Sequence, residues 1–229
     1  KIKKDIQTVH MLIQQEQAEQ QREIEEDRAS RLEIMIGSTR VRITPEEISC
    51  GNKSIRTKDV IGISWGISKH YTNGVRDSRS FSVSVVSSSS SLDIECTNHF
   101  WESDAEVMVR YKQVIDKVWR TAGVRVLTEL ISSISRGEKV QIGPFSLEKR
   151  GIWIKKTKLL FFSGEPELVP WSNITWYGSN GQFVVESRGQ SKLSGSMDYK
   201  NEYNAHILES FLDFIKDSNN FARMQKGEL

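Results

Sequence analysis

Apolar residues recur along this chain with two different periods, and the changes of period divide it into elements. From Lys1 to about Leu32 good helix formers dominate without Gly or Pro, and Ile2, Ile6, Val9 and Ile13 fall at helical spacing. Beyond Ile13 the stripe thins, because Gln14 to Asp27 is almost wholly polar. A coiled-coil seam needs apolar positions held over about three or four heptads, which this stretch does not supply. The pattern predicts a long, exposed helical leader over residues 1–36 that packs through its first turns and through Leu32 to Ile36.

From Arg40 the period drops to two. Val41 and Ile43 alternate with polar residues, Thr44-Pro45-Glu46-Glu47 reads as a turn, and Glu47 to Cys50 as the returning strand. Ser54 to Lys58 and Val60 to Ile67 read as further strands, followed by a polar loop from Lys69 to Ser80 around Asn73-Gly74. Phe81, Val83 and Val85 alternate with serines, and the serine run from Ser87 to Ser91 is predicted to be a hairpin tip before Leu92 to Cys96. Ser103-Asp104 is an N-cap signal, after which Val107, Tyr111, Val114, Ile115 and Val118 share one helical face. A second helix, Gly123 to Ser135, carries Val124, Leu127, Leu130, Ile131 and Ile134 on its apolar face and is read as a connector ended by Gly137.

The pattern then repeats. Ile43, Ile48 and Cys50 have counterparts in Leu147, Ile152 and Ile154, each 104 residues on (43 to 147, 48 to 152, 50 to 154). Val169-Pro170-Trp171-Ser172-Asn173-Ile174 matches Ile55 to Val60 at a spacing of 114 (60 to 174), which places ten added residues around Lys158 to Glu167. Phe183 and Val185 echo Phe81 and Val83, and Tyr203, Ile207, Phe211, Phe214 and Ile215 form the face of a closing helix, with a frayed tail after Ser218. The predicted organisation is a leader (1–36), a first domain (37–121), a connector (122–138), a second domain (139–218) and a tail (219–229).

Short antiparallel strands closed by one amphipathic helix suit a helix-capped barrel or sandwich. The run Gly137-Glu138-Lys139-Val140-Gln141-Ile142-Gly143, then Phe145 to Ile152, then Pro170-Trp171-Ser172-Asn173-Ile174 resembles uncharacterised bacterial domains of the pleckstrin-homology-like superfold. That resemblance covers about residues 38 to 217. It implies an α+β chain of two such antiparallel β-barrels or sandwiches, each closed by a C-terminal helix and preceded by the long N-terminal helix. In it Trp171 and Ile174 are core residues, and the fold suggests binding of a protein or peptide along a strand edge, or of anionic lipid headgroups.

Composition narrows the chemistry. The chain has 32 basic and 30 acidic residues for a net charge of +2, too balanced to draw in nucleic acid over distance. Cys50 and Cys96 are far apart and lack metal spacing, which predicts reduced thiols in a cytoplasmic protein. His10, His70, His99 and His206 form no metal or base spacing, and no P-loop, nucleophile elbow or zinc-protease motif occurs. The expectation is therefore a non-catalytic scaffold without metal or cofactor, within a larger protein, since the chain begins at Lys1 rather than Met; the resemblance implies that this protein is bacterial. One local charge cluster stands out: Lys149, Arg150, Lys155, Lys156 and Lys158 lie within ten residues and are the candidate anion or lipid site of a peripheral membrane adaptor, the alternative to a protein-binding module. The leader helix is a candidate for self-association.

Overall fold

The computed structural model describes residues 30–72, 75–99, 104–157 and 163–227, with Arg22 and Glu26 besides. Four short strands open it: β1 (Leu32–Ile36), β2 (Thr39–Ile43), β3 (Glu47–Cys50) and β4 (Lys53–Arg56), antiparallel in chain order. Val41, Ile43 and Ile48 face the core while Arg40 and Arg42 face out, as a period of two requires. The hydroxyl of Thr44 accepts from the N–H groups of Glu46 (3.3 Å) and Glu47 (3.1 Å), which fixes the turn at Pro45. A 3₁₀ turn (Thr57–Asp59) leads into β5 (Val60–Thr72), β6 (Val75–Ser87) and β7 (Ser91–His99), a second antiparallel sheet. The stretch from Lys69 to Ser80, expected as a loop, instead extends this hairpin to the pair Thr72 and Val75. The serine tip is held by the Ser87 hydroxyl, which accepts from Ser90 N–H at 3.1 Å.

One continuous helical rod follows. α1 (Asp104–Val118) passes through a π-helical turn (Trp119–Gly123) into α2 (Val124–Ser135), so the predicted closing helix and connector are a single element. Gly123 makes the join: a Cβ there would lie 2.5 Å from the Trp119 ring, so the glycine lets the indole fold back onto the rod.

The same order of parts then recurs. β8 (Val140–Ile142), β9 (Phe145–Glu148), β10 (Gly151–Thr157) and β11 (Ser163–Pro170) form a four-strand meander. A 3₁₀ turn (Trp171–Asn173) introduces β12 (Ile174–Ser179), β13 (Gln182–Ser187) and β14 (Gln190–Asp198), and α3 (Ala205–Lys216) closes the unit. The residues expected as a frayed tail form α4 (Ser218–Lys226), which buries Met224 completely. The buried side chains of both halves make one contiguous core.

Two expectations are corrected. Neither half is a closed barrel. Among the described residues, the two sheets of the first share no ladder, and those of the second join through the single pair Lys156 and Leu193, leaving β8, β11 and β12 at edges. Strands of four or five residues, such as β2, β3 and β4, are too short to tilt around a continuous hydrogen-bonded wall; helices cover the gap instead. The leader does not run as helix through residue 36, because Leu32–Ile36 pairs with β2, burying Ile36 while Glu33 and Met35 face out. Among the described residues there is no long N-terminal helix; the rest of that reading, with its self-association face, lies outside them. No described helix is long and apolar enough to cross a membrane.

Candidate partner-binding groove

A three-strand sheet has two outer edges, and an edge strand presents backbone groups that need partners. In the first half that need is met on β5 from within the chain. Trp65 N–H donates to Tyr199 C=O (3.2 Å), and Asn204 N–H donates to Ile63 C=O (2.8 Å). The Asn204 side chain then bridges the strand: its Oδ1 accepts from Ile63 N–H (3.1 Å) and its Nδ2 donates to Ile61 C=O (3.0 Å). Lower on the same edge, the Arg125 guanidinium of α2 donates to the carbonyls of Thr57 (3.1 Å) and Val60. The close approach depends on two glycines, since a Cβ on Gly62 would lie 3.1 Å from Tyr203 Cβ and one on Gly66 would lie 2.6 Å from Lys200 Cβ.

Aromatic rings continue this seam between the halves. The His206 imidazole lies flat on Trp65 (3.7 Å between centroids, 7° between planes) and also stacks with Tyr199 at 4.5 Å. Its Nε2 is 3.1 Å from Trp65 C=O and donates to it. Burial lowers its pKa to about 4, against the smaller upward pull of that hydrogen bond. Burial pushes the Tyr199 phenol and the Glu209 carboxyl up.

β12 holds the corresponding place in the second half, directly after its 3₁₀ turn, and among the described residues it pairs with β13 alone. Beside it runs a groove of about 450 Å³. Ile174 and Trp171 form its floor, Trp176 and Phe221 its walls, and Arg188 and Lys216 add positive charge at its rim. Asp213 accepts from the Trp176 indole at 3.2 Å, and Lys216 Nζ sits 5.8 Å from the centre of that ring, which fixes the aromatic wall. The groove exists because α3 stops at Lys216 and the chain turns into α4, whereas in the first half the helical rod runs on and places Arg125 against the strand. An apolar floor, a free strand edge and two cations suit an extended peptide with an acidic side chain.

Trp171 was expected in the core and is buried, its indole donating to Lys149 C=O at 3.1 Å. Trp176, Arg188 and Lys216 were not anticipated; they are distant in sequence and meet only through the sheet. Gly62 and Gly66 signal the covered edge of β5, where residues 200–204 approach, and not the groove beside β12.

The candidate basic residues are spread out. Arg150 donates to Glu148 at 3.0 Å, and Glu148 also accepts from the Trp153 indole at 2.9 Å; the indole bond first, and Arg150 after it, holds its carboxyl below the usual range. Lys149 is half-buried, and its carbonyl also accepts from Gln225. Lys155 is exposed at the other end of β10, roughly 16 Å of strand from Arg150 at about 3.3 Å per residue. It borders a shallow groove with Trp153 and Lys139, whose ammonium lies 4.6 Å from the indole centre. The side chains of Lys156 and Lys158 lie outside the described residues. The three described members therefore do not converge on one anion. Cys50 and Cys96 sit in different sheets and are not bridged; burial, and then Asp93, pushes the Cys50 thiol up.

The chain matches no family model, no curated protein and no solved structure.

Proposed function

We propose that this chain is a non-catalytic binding module that holds an extended, acidic segment of a protein partner in the groove beside β12. The observation that carries this reading is the contrast between two edges: β5 is occupied by residues 199–204, whereas β12, in the same place of the second half, has no such segment among the described residues and is flanked by aromatic and cationic side chains. The internal segment is the template for the partner. It gives carbonyl and N–H groups to the strand and seats aromatic rings beside it. The added demand for a carboxylate comes from Arg188 and Lys216. The two unbridged cysteines fit a reducing compartment, and we assign the module to the cytoplasm.

The test is selection from a library of displayed eight-residue peptides, followed by titration of the selected peptide. Acidic, aromatic-containing sequences should be enriched. Reversing both cations (Arg188→Glu with Lys216→Glu) should weaken binding at least tenfold, since charge-assisted bonds contribute about 1.5–3 kcal/mol each. Enrichment without acidic residues, or affinity indifferent to the double reversal, overturns the reading. Binding to anionic vesicles that is lost in Lys155→Glu would favour a membrane adaptor instead.

A further inference from the structure

The first half is unclosed where β1 and β7 approach without a ladder, and α1 lies across that corner. Beneath the helix is a cavity of about 310 Å³. Its inner wall is apolar and closely packed: Phe81, Val83, Ile94 and Val114 are buried, and Ile36 nearly so. Its mouth carries Glu106 and Arg110, one turn apart on α1. Protein interiors hold few voids larger than a water molecule, whereas sites for small ligands begin at about 300 Å³.

The second half shows that the fold can fill this corner. Phe81 is paired across the sheet with Cys96, and Phe183 with Met197. Met197 is fully buried and its chain reaches over the turn after β8, so that a Cβ on Gly143 would lie 2.7 Å from Met197 Cε. Gly37, at the matching turn after β1, has nothing within 4 Å of its Cβ position, and it lines the cavity. Where the first half has Val41 and Ile94, the second has Phe145 and Gly195: a Cβ on Gly195 would lie 2.7 Å from the Phe145 ring, so these two exchanges offset each other and the difference rests on Met197 against Cys96. The hollow is thus a matter of one side chain: opposite the equivalent phenylalanine one half has Met197, which covers the turn at Gly143, and the other has Cys96, which leaves the turn at Gly37 uncovered and the cavity open to the surface.

We infer that the first corner is a binding site for a small apolar molecule with an uncharged hydrogen-bonding end. The apolar part fills the space that Met197 takes in the other half. The polar end lies at the mouth between Glu106 and Arg110, where an anion would face the carboxylate and a cation the guanidinium. The Tyr111 hydroxyl on the cavity wall is already committed, donating to Gly66 C=O (3.0 Å) and Ser82 C=O (3.2 Å), so the ligand's polar end is directed outward.

The probe is 1-octanol, added to the full chain. Ligand-detected NMR should show saturable binding, and N-ethylmaleimide should modify Cys96 at least fivefold more slowly in its presence while the rate at Cys50 is unchanged. Octanoate and octylammonium should bind at least threefold more weakly. Cys96→Met, which copies the filled corner, should abolish binding and leave peptide binding beside β12 intact. If that variant does not fold, Val107→Phe, on the half-buried face of α1, serves the same end. No saturable binding, no protection of Cys96, or binding that survives a folded cavity-filling variant overturns the site. Equal affinity for either charged analogue overturns the assignment of an uncharged end.

Discussion

Cys96 and Met197 stand opposite equivalent phenylalanines, and β5 and β12 follow equivalent turns, yet the two halves of the chain use these places in opposite ways. In the first half the corner is hollow and the strand edge is closed by residues 199–204. In the second the corner is covered by Met197 and, among the described residues, β12 pairs with β13 alone. A single unit of this kind can use the strand edge that follows its 3₁₀ turn, or its corner. Two units joined through one edge can fuse into a single core while leaving the other edge for a partner, and the half whose edge is consumed still has its corner. The lesson is that a repeated set of elements need not repeat a site: small changes in side-chain volume and helix length decide which face of each unit is available.

The contrast between the corners predicts the largest effect. Phe145→Ala should cost about 3–5 kcal/mol in urea denaturation, because a fully buried ring leaves a cavity that the packed second half cannot collapse. Cys96→Met, in the hollow corner, should act in the opposite direction and add about 0.5–2 kcal/mol, as cavity filling does. If the two substitutions changed stability by the same sign and size, the corners would not differ in packing.

How much of this was readable in the residues follows the same division. The pairs Ile43 with Leu147 and Ile48 with Ile152 were legible because a half-buried strand has period two and its turns announce themselves. β1 was not: Leu32 to Ile36 follows a polar run of helix formers, and its strand character appears only when β2 pairs with it. Gly123 reads as a break between helices, yet it is the residue that lets the rod continue, since the cause is the Trp119 ring folded against it. α4 begins Ser218-Asn219-Asn220, which local propensity reads as fraying, and it is held by tertiary burial of Met224. The groove beside β12 was illegible because Arg188 lies in the turn between β13 and β14 and Lys216 at the end of α3. The lysine-rich stretch after Glu148, conversely, looks dense in one dimension and is drawn out by the extended strand that carries it.

The seam predicts a pH effect of intermediate size. The folded pKa of His206, about 4, lies below its ordinary value of 6.5. Its contribution to stability is therefore whole above pH 6.5 and is lost as pH falls toward 4, because the unfolded chain takes up a proton that the stacked imidazole refuses. By pH 5 the loss should be about 2 kcal/mol. Glu209, whose carboxyl is pushed up, has the opposite sign and offsets part of it. Urea midpoints at pH 7 and pH 5 measure the difference, and His206→Phe, which keeps a ring between Trp65 and Tyr199, should remove at least half of it. An unchanged slope would mean that the seam does not hold the imidazole neutral.

A smaller effect isolates the bridge to β5. Asn204 has a left-handed backbone (φ 69°), so Asn204→Gly removes its two side-chain hydrogen bonds without adding backbone strain. The cost should be about 1–2 kcal/mol, and hydrogen exchange should quicken at the Ile63 amide while amides of β13 stay protected. Uniform loss of protection across both halves would show that the seam is not a local contact between an edge and a segment.

The smallest effect belongs to the basic turn of the second half. Arg150 pairs with Glu148 in a largely exposed position, with its side chain 76% accessible. Ion pairs of this kind contribute about 0–1 kcal/mol, and Glu148 retains its bond to the Trp153 indole when the arginine is removed. Arg150→Ala should therefore shift the urea midpoint by less than the equivalent of about 0.5 kcal/mol and leave peptide binding beside β12 unchanged. The same substitution is sharp in the other direction: because Arg150 and Lys155 stand at opposite ends of β10, a tenfold loss of affinity for anionic vesicles in both Arg150→Ala and Lys155→Ala would require the strand's two ends to act on one surface, and would move the functional face from the open edge of β12 to the outer face of the sheet that carries Trp153.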